Sequence, residues 1–248
     1  MEQVEKNKYG LVGKNISYSF SRGYFADKFK TLGLKGYSYE NFDLEQIESL
    51  KELINSNTDL RGLNVTIPYK EEVLPYLDKL NKKAKKIGAV NTIKFTKKGL
   101  KGYNTDIYGF KKSIKPFLKK RHKHALIFGT GGASKAIAFV FEELNIEYKY
   151  VSRNPSENQL SYASLNESII KENLILVNCT PIGTFPNTNE KPDIPYHYIS
   201  KKHLLFDLIY NPEKTTFLKL GEERGAAICN GLRMLELQAE KSWKIWNS

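Results

Sequence analysis

The sequence predicts an α/β protein of two domains, the second built on an open parallel sheet. Three observations carry this. Short apolar runs alternate with amphipathic stretches along the chain. A glycine turn, Gly129-Thr130-Gly131-Gly132, follows one apolar run and opens a helical pattern. Strand, turn, helix and a second strand then fit within about 30 residues, the span of a βαβ unit and hence of parallel strands.

The elements follow in order. Residues 9–13 form a strand, 23–32 a helix, 37–42 a strand and 44–55 a helix. Residues 62–65 form a short strand that Pro68 closes, since proline has no N–H for a ladder. A hairpin joins 90–95 to 100–103 across Lys97-Lys98-Gly99, and Asp106 opens a helix. In the second half 124–128, 147–151, 173–177, 204–208 and 226–229 read as strands, with helices over 133–144 and 215–223. The last stretch, 232–246, is amphipathic and is expected to pack back across the first domain. The domains are therefore placed at 1–103 and 104–231, with 232–248 as the returning helix.

Composition narrows the function classes. The chain has 248 residues, 40% hydrophobic and 27% charged, enough to bury a core and too apolar for a disordered chain. Mean hydropathy is −0.48 and no apolar run reaches bilayer length, which excludes a membrane-spanning protein. The opening MEQVEKNKYG lacks the apolar stretch of a signal peptide, so a cytoplasmic location is expected. Two cysteines, Cys179 and Cys229, make no disulfide framework, and four histidines without CxxC or HExxH offer no metal site. The net charge of +12 suits an anionic partner of some kind: nucleic acid, a membrane surface or a small anionic substrate. The lysines, however, are scattered in pairs without an aromatic ladder for stacking bases. Solvated surface lysines are the plainer reading, and neither nucleic acid nor membrane is expected as a partner.

The glycine turn carries the first chemical signal. Glycines let a backbone approach a pyrophosphate, and a helix N-terminus offers N–H groups and partial positive charge. Ser134 stands at the third position of the GxGxxG pattern, so the string alone is weak and its place between strand and helix supports it. A turn needed only to reverse the chain is the plainer alternative. The next strand ends in Ser152-Arg153-Asn154, 24 residues on from Gly129 to Arg153, with no Asp or Glu at 151–154. An acid there would hold the ribose hydroxyls of NAD, whereas an arginine accommodates a 2′-phosphate, so NADP is the expected cofactor. A surface arginine is the competing reading.

The other polar clusters sit at strand ends and turns: Ser17-x-Ser19, Asn64 to Lys70, Asn91-Thr92 and Asn104-Thr105-Asp106. Neutral hydroxyls and amides of this kind suit a small polyhydroxylated ligand. Lys70 and Asp106 are the ionisable residues among them. Taken singly, each cluster reads as a turn or a helix cap.

Six strings together make the chain resemble the shikimate dehydrogenase family over nearly its whole length. They are Gly10-Leu11-Val12-Gly13 with Ile16-Ser17-Tyr18-Ser19, Asn64-Val65-Thr66-Ile67-Pro68-Tyr69-Lys70, and Gly88-Ala89-Val90-Asn91-Thr92. Gly102-Tyr103-Asn104-Thr105-Asp106-Ile107-Tyr108-Gly109, Asn178-Cys179-Thr180-Pro181-Ile182-Gly183 and Asp207-Leu208-Ile209-Tyr210-Asn211-Pro212 follow in family order. The resemblance implies an N-terminal α/β substrate domain, a C-terminal Rossmann-type doubly wound sheet for NADP, and reaction in the cleft between them. It implies that Ser17, Ser19, Thr66 and Tyr210 bind a substrate carboxylate, and that Lys70, Asn91, Asp106 and Gln238 bind ring hydroxyls. Lys70 and Asp106 would be the catalytic pair. The backbone of Gly129, Thr130, Gly131, Gly132 and Ala133 would hold the pyrophosphate and Ser152, Arg153 and Asn154 the adenosine phosphate, with Leu208 and Gly231 near the nicotinamide.

The implied activity is reversible NADPH-dependent reduction of 3-dehydroshikimate to shikimate, on the route to chorismate and the aromatic amino acids. A monomer or homodimer acting on small molecules is expected. Tyr18, Arg22 and Arg233 depart from the usual His, Pro and Gly of the family, so a changed surround is expected there. The alternatives are a relative with relaxed use of quinate or NAD, and a non-catalytic sensor of the same ligands. The first would be expected to carry an acid after the second strand, and the second would be expected to have lost Lys70 or Asp106.

Overall fold

Tyr9, Leu11 and Val12 are buried along β1 (Asn7–Gly13), which lies inside a sheet with a packed layer on each face. The computed structural model describes residues 5–17 and 19–248 and divides into two units, one running to Thr105 and including Ala239–Ser248, the other Asp106–Gln238.

The first unit continues with α1 (Phe20–Thr31), β2 (Tyr37–Asp43), α2 (Leu50–Ser56), β3 (Leu60–Val65), β4 (Lys79–Leu80), α3 (Lys82–Ile87), β5 (Thr92–Thr96) and β6 (Gly99–Tyr103). Its six-stranded sheet has the order β2-β1-β3-β5-β6-β4. β1 is parallel to β2 and β3, while β5 runs antiparallel to β3 and β6. α1 begins three residues before the expected start, because the Ser19 side chain accepts the N–H of Ser21 and caps it. α2 begins six residues after its expected start. Leu44 N–H still bonds Gly13 O, the Asp43 carboxylate holds the N–H groups of Asn15 and Ile16, and a 3₁₀ turn (Ile47–Ser49) intervenes.

One face of this sheet packs Val12, Leu50, Leu63, Val65, Val73 and Ile93. The other face is aromatic: Tyr9, Phe25, Phe29 and Tyr39 pack with Trp243 and Trp246 from the C-terminal segment. Trp246 lies 4.8 Å from the Tyr9 ring and 5.5 Å from the Phe25 ring, and its indole N–H donates to Ile93 O at 3.0 Å.

The second unit comprises α4 (Asp106–Ile114), β7 (His124–Phe128), α5 (Gly132–Glu143), β8 (Glu147–Ser152), β9 (Leu160–Ser161), α6 (Glu167–Glu172), β10 (Ile175–Asn178), β11 (Leu204–Asp207), α7 (Thr216–Glu223), β12 (Ala227–Cys229) and the beginning of α8 (Leu232–Trp246). All its strands are parallel, in the order β12-β11-β10-β7-β8-β9. The chain winds outward from β7 to β9 and then returns to the other side of β7 at β10. This is a doubly wound sheet with its switch point between β7 and β10. Leu126, Ile127, Phe128, Leu176, Leu205 and Phe206 are fully buried, as parallel strands covered on both faces require.

The unit boundaries differ from the expected ones. Asn104 and Thr105 fall in the first unit, where Asn104 Nδ2 donates to Ala89 O at 3.1 Å and Thr105 N–H to Asn91 Oδ1 at 2.7 Å. α8 is divided at Gln238–Ala239, with Ala239, Trp243 and Trp246 in the aromatic layer of the first unit.

Replacing Trp246 with Ala empties that layer and strands Ile93 O. The expected loss is about 3–5 kcal/mol of unfolding free energy, read by urea denaturation of the whole chain. An unchanged denaturation midpoint would show that the layer does not depend on this ring.

Candidate functional site

In the first unit the polar residues gather at one edge of the sheet because β1 and β3 run parallel and finish in register, Val12 beside Val65. Ser17 is exposed in the loop after β1, and Ser19 caps α1. Tyr18 lies outside the described residues. Thr66 N–H donates to Val12 O at 2.9 Å, which fixes the turn after β3 against the end of β1. Lys70, half-buried four residues on, accepts Val90 N–H on its carbonyl at 2.7 Å, so its backbone abuts the residue before Asn91.

Asn91 is buried, and its orientation is fixed. Its Oδ1 accepts from Thr105 N–H at 2.7 Å, from Thr105 Oγ1 at 3.1 Å and from Thr92 Oγ1 at 3.1 Å. A backbone N–H only donates, so the oxygen is the amide atom turned toward Thr105. Asn64 stands behind it. Its Oδ1 accepts from Tyr39 at 2.9 Å, and its Nδ2 donates to Asn91 O at 3.0 Å and to Ser242 Oγ at 3.0 Å. Ser242 Oγ also lies 2.8 Å from Thr92 Oγ1. Asn64, Thr92 and Thr105 stand in the polar clusters that the sequence singles out but are given no role there, and Ser242 stands in none of them. A serine at helical spacing between Ala239 and Trp246 is the sequence signal that marks Ser242.

In the second unit Asp106 is buried in the first turn of α4 and Gln238 is buried on α8. The helices meet at Gly109, where a Cβ would stand 2.5 Å from Met234 O and 3.3 Å from Gln238 Cβ. Gln238 therefore lies beside α4 within a turn of Asp106.

The glycine turn follows β7. Gly129 has φ +98°, a conformation that favours glycine, and its N–H donates to Val151 O at 2.9 Å. Gly131 caps α5 without a side chain, no acid lies in the first turn, and Ser134 donates back to Gly131 O at 2.7 Å. Gly131, Gly132 and Ala133 thus leave an uncapped helix N-terminus, a fit for a pyrophosphate. Thr130 is exposed beside it. Ser152, Arg153 and Asn154 leave the adjacent strand β8, with Arg153 and Asn154 exposed and Ser152 Oγ accepting Asn154 N–H at 3.2 Å. The residues present therefore fit NADP. Gly231 N–H donates to Ile209 O at 3.0 Å, and a Cβ on Gly231 would stand 2.0 Å from Leu208 O, so these two proposed cofactor residues are in direct contact. Tyr210 is half-buried just beyond. Arg233 pairs with Glu236 on its own helix at 3.0 Å, and Arg22 is exposed on α1. Among the described residues no cluster of three His, Cys, Asp or Glu is placed to hold a metal ion, and no helix is long and apolar enough to cross a membrane.

Among the described residues Asp207, at the end of β11, is the one carboxyl whose titration burial displaces far: desolvation pushes it up to about 7 against three hydrogen-bond donors. Its ordinary value is 3.8, so the folded state holds a proton that the unfolded state has lost between these limits. This stabilisation is complete below pH 4 and disappears as pH rises through 7. The stability of the protein relative to Asp207→Asn should fall over that window by an amount on the order of 4 kcal/mol. Thermal unfolding of both proteins at pH 5, 6, 7 and 8 checks it, and a difference that does not vary with pH contradicts it.

Comparison with known proteins follows the same division. A family model described as the shikimate dehydrogenase substrate binding domain matches residues 11–93. The shikimate dehydrogenase (NADP(+)) of Methanosphaera stadtmanae is 36% identical over 96% of this chain and 90% of its own. The crystal structure of shikimate dehydrogenase from Aquifex aeolicus is 32% identical, with a TM-score of 0.87 over 100% of this chain and 94% of its own. The Thermus thermophilus shikimate 5-dehydrogenase, solved in complex with NADP(H) and shikimate, is 30% identical, with a TM-score of 0.85 over 97% and 93% of the two chains. With identity above 30% along almost the entire length, and with both sheets matched, the chain belongs to the shikimate dehydrogenase family.

Proposed function

We infer that the chain is an NADP-dependent shikimate dehydrogenase that interconverts 3-dehydroshikimate and shikimate. The observation that carries the cofactor half is the uncapped N-terminus of α5 beside an acid-free strand end bearing Arg153. The substrate half is supported by the gathering of Thr66, Lys70 and Asn91 at one sheet edge within the segment that matches a substrate-binding domain model. In this reading the first domain binds the substrate and the second the cofactor. Bound NADP(H) supplies the hydride chemistry.

The chain's own residues bind, orient and move a proton. Ser17, Ser19, Thr66 and the Tyr210 hydroxyl donate to the substrate carboxylate, where a hydrogen bond to a charged acceptor contributes about 1.5–3 kcal/mol. Asn91 and Gln238 each hold a ring hydroxyl. Lys70 gives its Nζ proton to the carbonyl oxygen as negative charge builds there, and takes one back in the oxidative direction. Asp106 holds a neighbouring hydroxyl. Small molecules are the only partners this chemistry needs, and a monomer or homodimer in the cytoplasm meets it.

Absorbance at the NADPH band tests the reading directly, with shikimate or quinate offered against NADP or NAD. Turnover with shikimate and NADP is the expected result. Turnover confined to quinate and NAD would move the protein to the relaxed relatives, and no turnover with any pair would overturn the reading.

Two variants test the roles. Lys70→Ala should lose about 10²–10⁴-fold in kcat while shikimate KM changes far less, since the proton matters most in the transition state. A folded Lys70→Ala protein with near-normal kcat assigns the proton to another group. Arg153→Ala should raise KM for NADP while leaving the weaker KM for NAD nearly unmoved. Equal effects on the two cofactors would remove Arg153 from the 2′-phosphate.

A further inference from the structure

Asp207 is fully buried at the end of β11, and no step of the proposed chemistry uses it. Its Oδ1 accepts Ile209 N–H at 3.1 Å and Asn178 Nδ2 at 3.1 Å, and its Oδ2 accepts the Thr215 hydroxyl at 2.6 Å. Asn178 closes β10, the strand beside β11. Its Oδ1 accepts Thr180 N–H at 3.0 Å and Thr180 Oγ1 at 2.6 Å, and Thr180 Oγ1 accepts Ile182 N–H at 3.3 Å. Thr215 is the N-cap of α7. One carboxyl thus joins three segments: the turn after β11, the turn after β10 and the first turn of α7.

Those turns are the surfaces on which the glycines of the proposed cofactor site rest. A Cβ on Gly129 would stand 3.1 Å from Thr180 Cγ2, so the turn after β10 backs the pyrophosphate loop. Gly231 rests on Leu208 O and bonds Ile209 O, so the turn after β11 backs the nicotinamide side. Leu208 N–H in turn bonds Asn178 O at 3.0 Å. Displacement of Asp207 would therefore reach Gly129, Leu208 and Gly231 together.

We propose that Asp207 is a positioning residue for the dinucleotide: through Asn178, Thr180 and Ile209 it sets Gly129, Leu208 and Gly231 in register without touching the cofactor. The inference rests on the reading that these three residues line the cofactor site. An acid suits the task because two donors converge on one of its oxygens and a third on the other. The burial that raises its pKa shows that this position is held at an electrostatic cost, which a side chain used only to fill space would not require.

The test is direct titration of NADPH, by its fluorescence, into the whole protein and its variants, alongside steady-state KM values. Asp207→Ala should weaken NADPH binding tenfold or more while KM for shikimate changes less than threefold. Asp207→Asn, which keeps one oxygen for both N–H donors, should recover most of the lost affinity. Should Asp207→Ala fail to fold, Thr215→Val against Thr215→Ser asks the same question, with the serine variant expected to behave as wild type and the valine variant to bind NADPH weakly. Wild-type affinity in Asp207→Ala or Thr215→Val, or equal weakening for NADPH and shikimate, overturns the inference. Wild-type protein that binds NADPH but never turns over shikimate sinks the functional reading alone. Wild-type protein that binds no NADPH sinks both.

Discussion

One row of residues across the second sheet determines where its chemistry can lie. Val151, Phe128, Asn178 and Asp207 stand side by side on β8, β7, β10 and β11, paired in parallel register. Parallel strands all leave their sheet at the same edge, so the residues one step beyond this row, Ser152, Gly129, Cys179 and Leu208, emerge together. A doubly wound sheet parts its helices at the switch point, here between β7 and β10, and leaves the crevice for a dinucleotide there. The glycine turn, the arginine of the β8 end and the turn after β11 need no separate device to find one another. Register does it.

The same row shows where polarity enters a dry interior. Phe128 and Val151 continue the apolar strands, whereas Asn178 and Asp207 place an amide and a carboxyl at zero exposure. A buried donor or acceptor left without a partner costs about 1–3 kcal/mol, so each polar atom brought in commits its neighbours. Asn178 commits Thr180, and Asp207 commits Thr215 and Ile209. The first unit repeats the pattern with Asn64, Asn91, Thr92, Thr105 and Ser242, all buried and all bonded to one another. The second unit's network lies at the ends of parallel strands, whereas the first unit's ties β3 to the antiparallel β5 and to α8.

What the sequence made legible follows from how local each feature is. The β7–α5–β8 unit is written in contiguous residues, and its strand over His124–Phe128 is where the apolar run places it. α8 likewise runs from Leu232 to Trp246, as its amphipathic pattern predicts. The short elements were not legible. α3 is a lysine-rich turn and a half held by an Asn81 cap and a left-handed Gly88, with Ala84 and Ile87 as its buried residues, and β4 and β9 have two residues each. No periodicity survives at that length. Asp207 was visible as an acid inside the apolar run 204–208, yet its importance comes from partners 29 and 8 residues away that only the fold assembles. The orientation of the Asn91 amide is of the same kind, because Thr105, 14 residues on, holds its oxygen together with the neighbouring Thr92.

Charge and recognition divide between different residues. A net charge of +12 leaves far more cations than the acids can pair, and exposed pairs such as Lys214–Glu222 at 2.8 Å contribute about 0–1 kcal/mol each. At physiological salt such charges are screened beyond about 8 Å, so the excess acts on the encounter with anionic ligands. It cannot separate two ligands of equal charge. That task falls to neutral groups that cannot relax, and in the proposed reading the Asn91 amide, its oxygen already committed to three donors, is one of them. A ligand that fails to match a held amide loses affinity, because the network does not turn to meet it. In the proposed reading, discrimination therefore rests on the rigidity of the buried network behind the residue that meets the ligand.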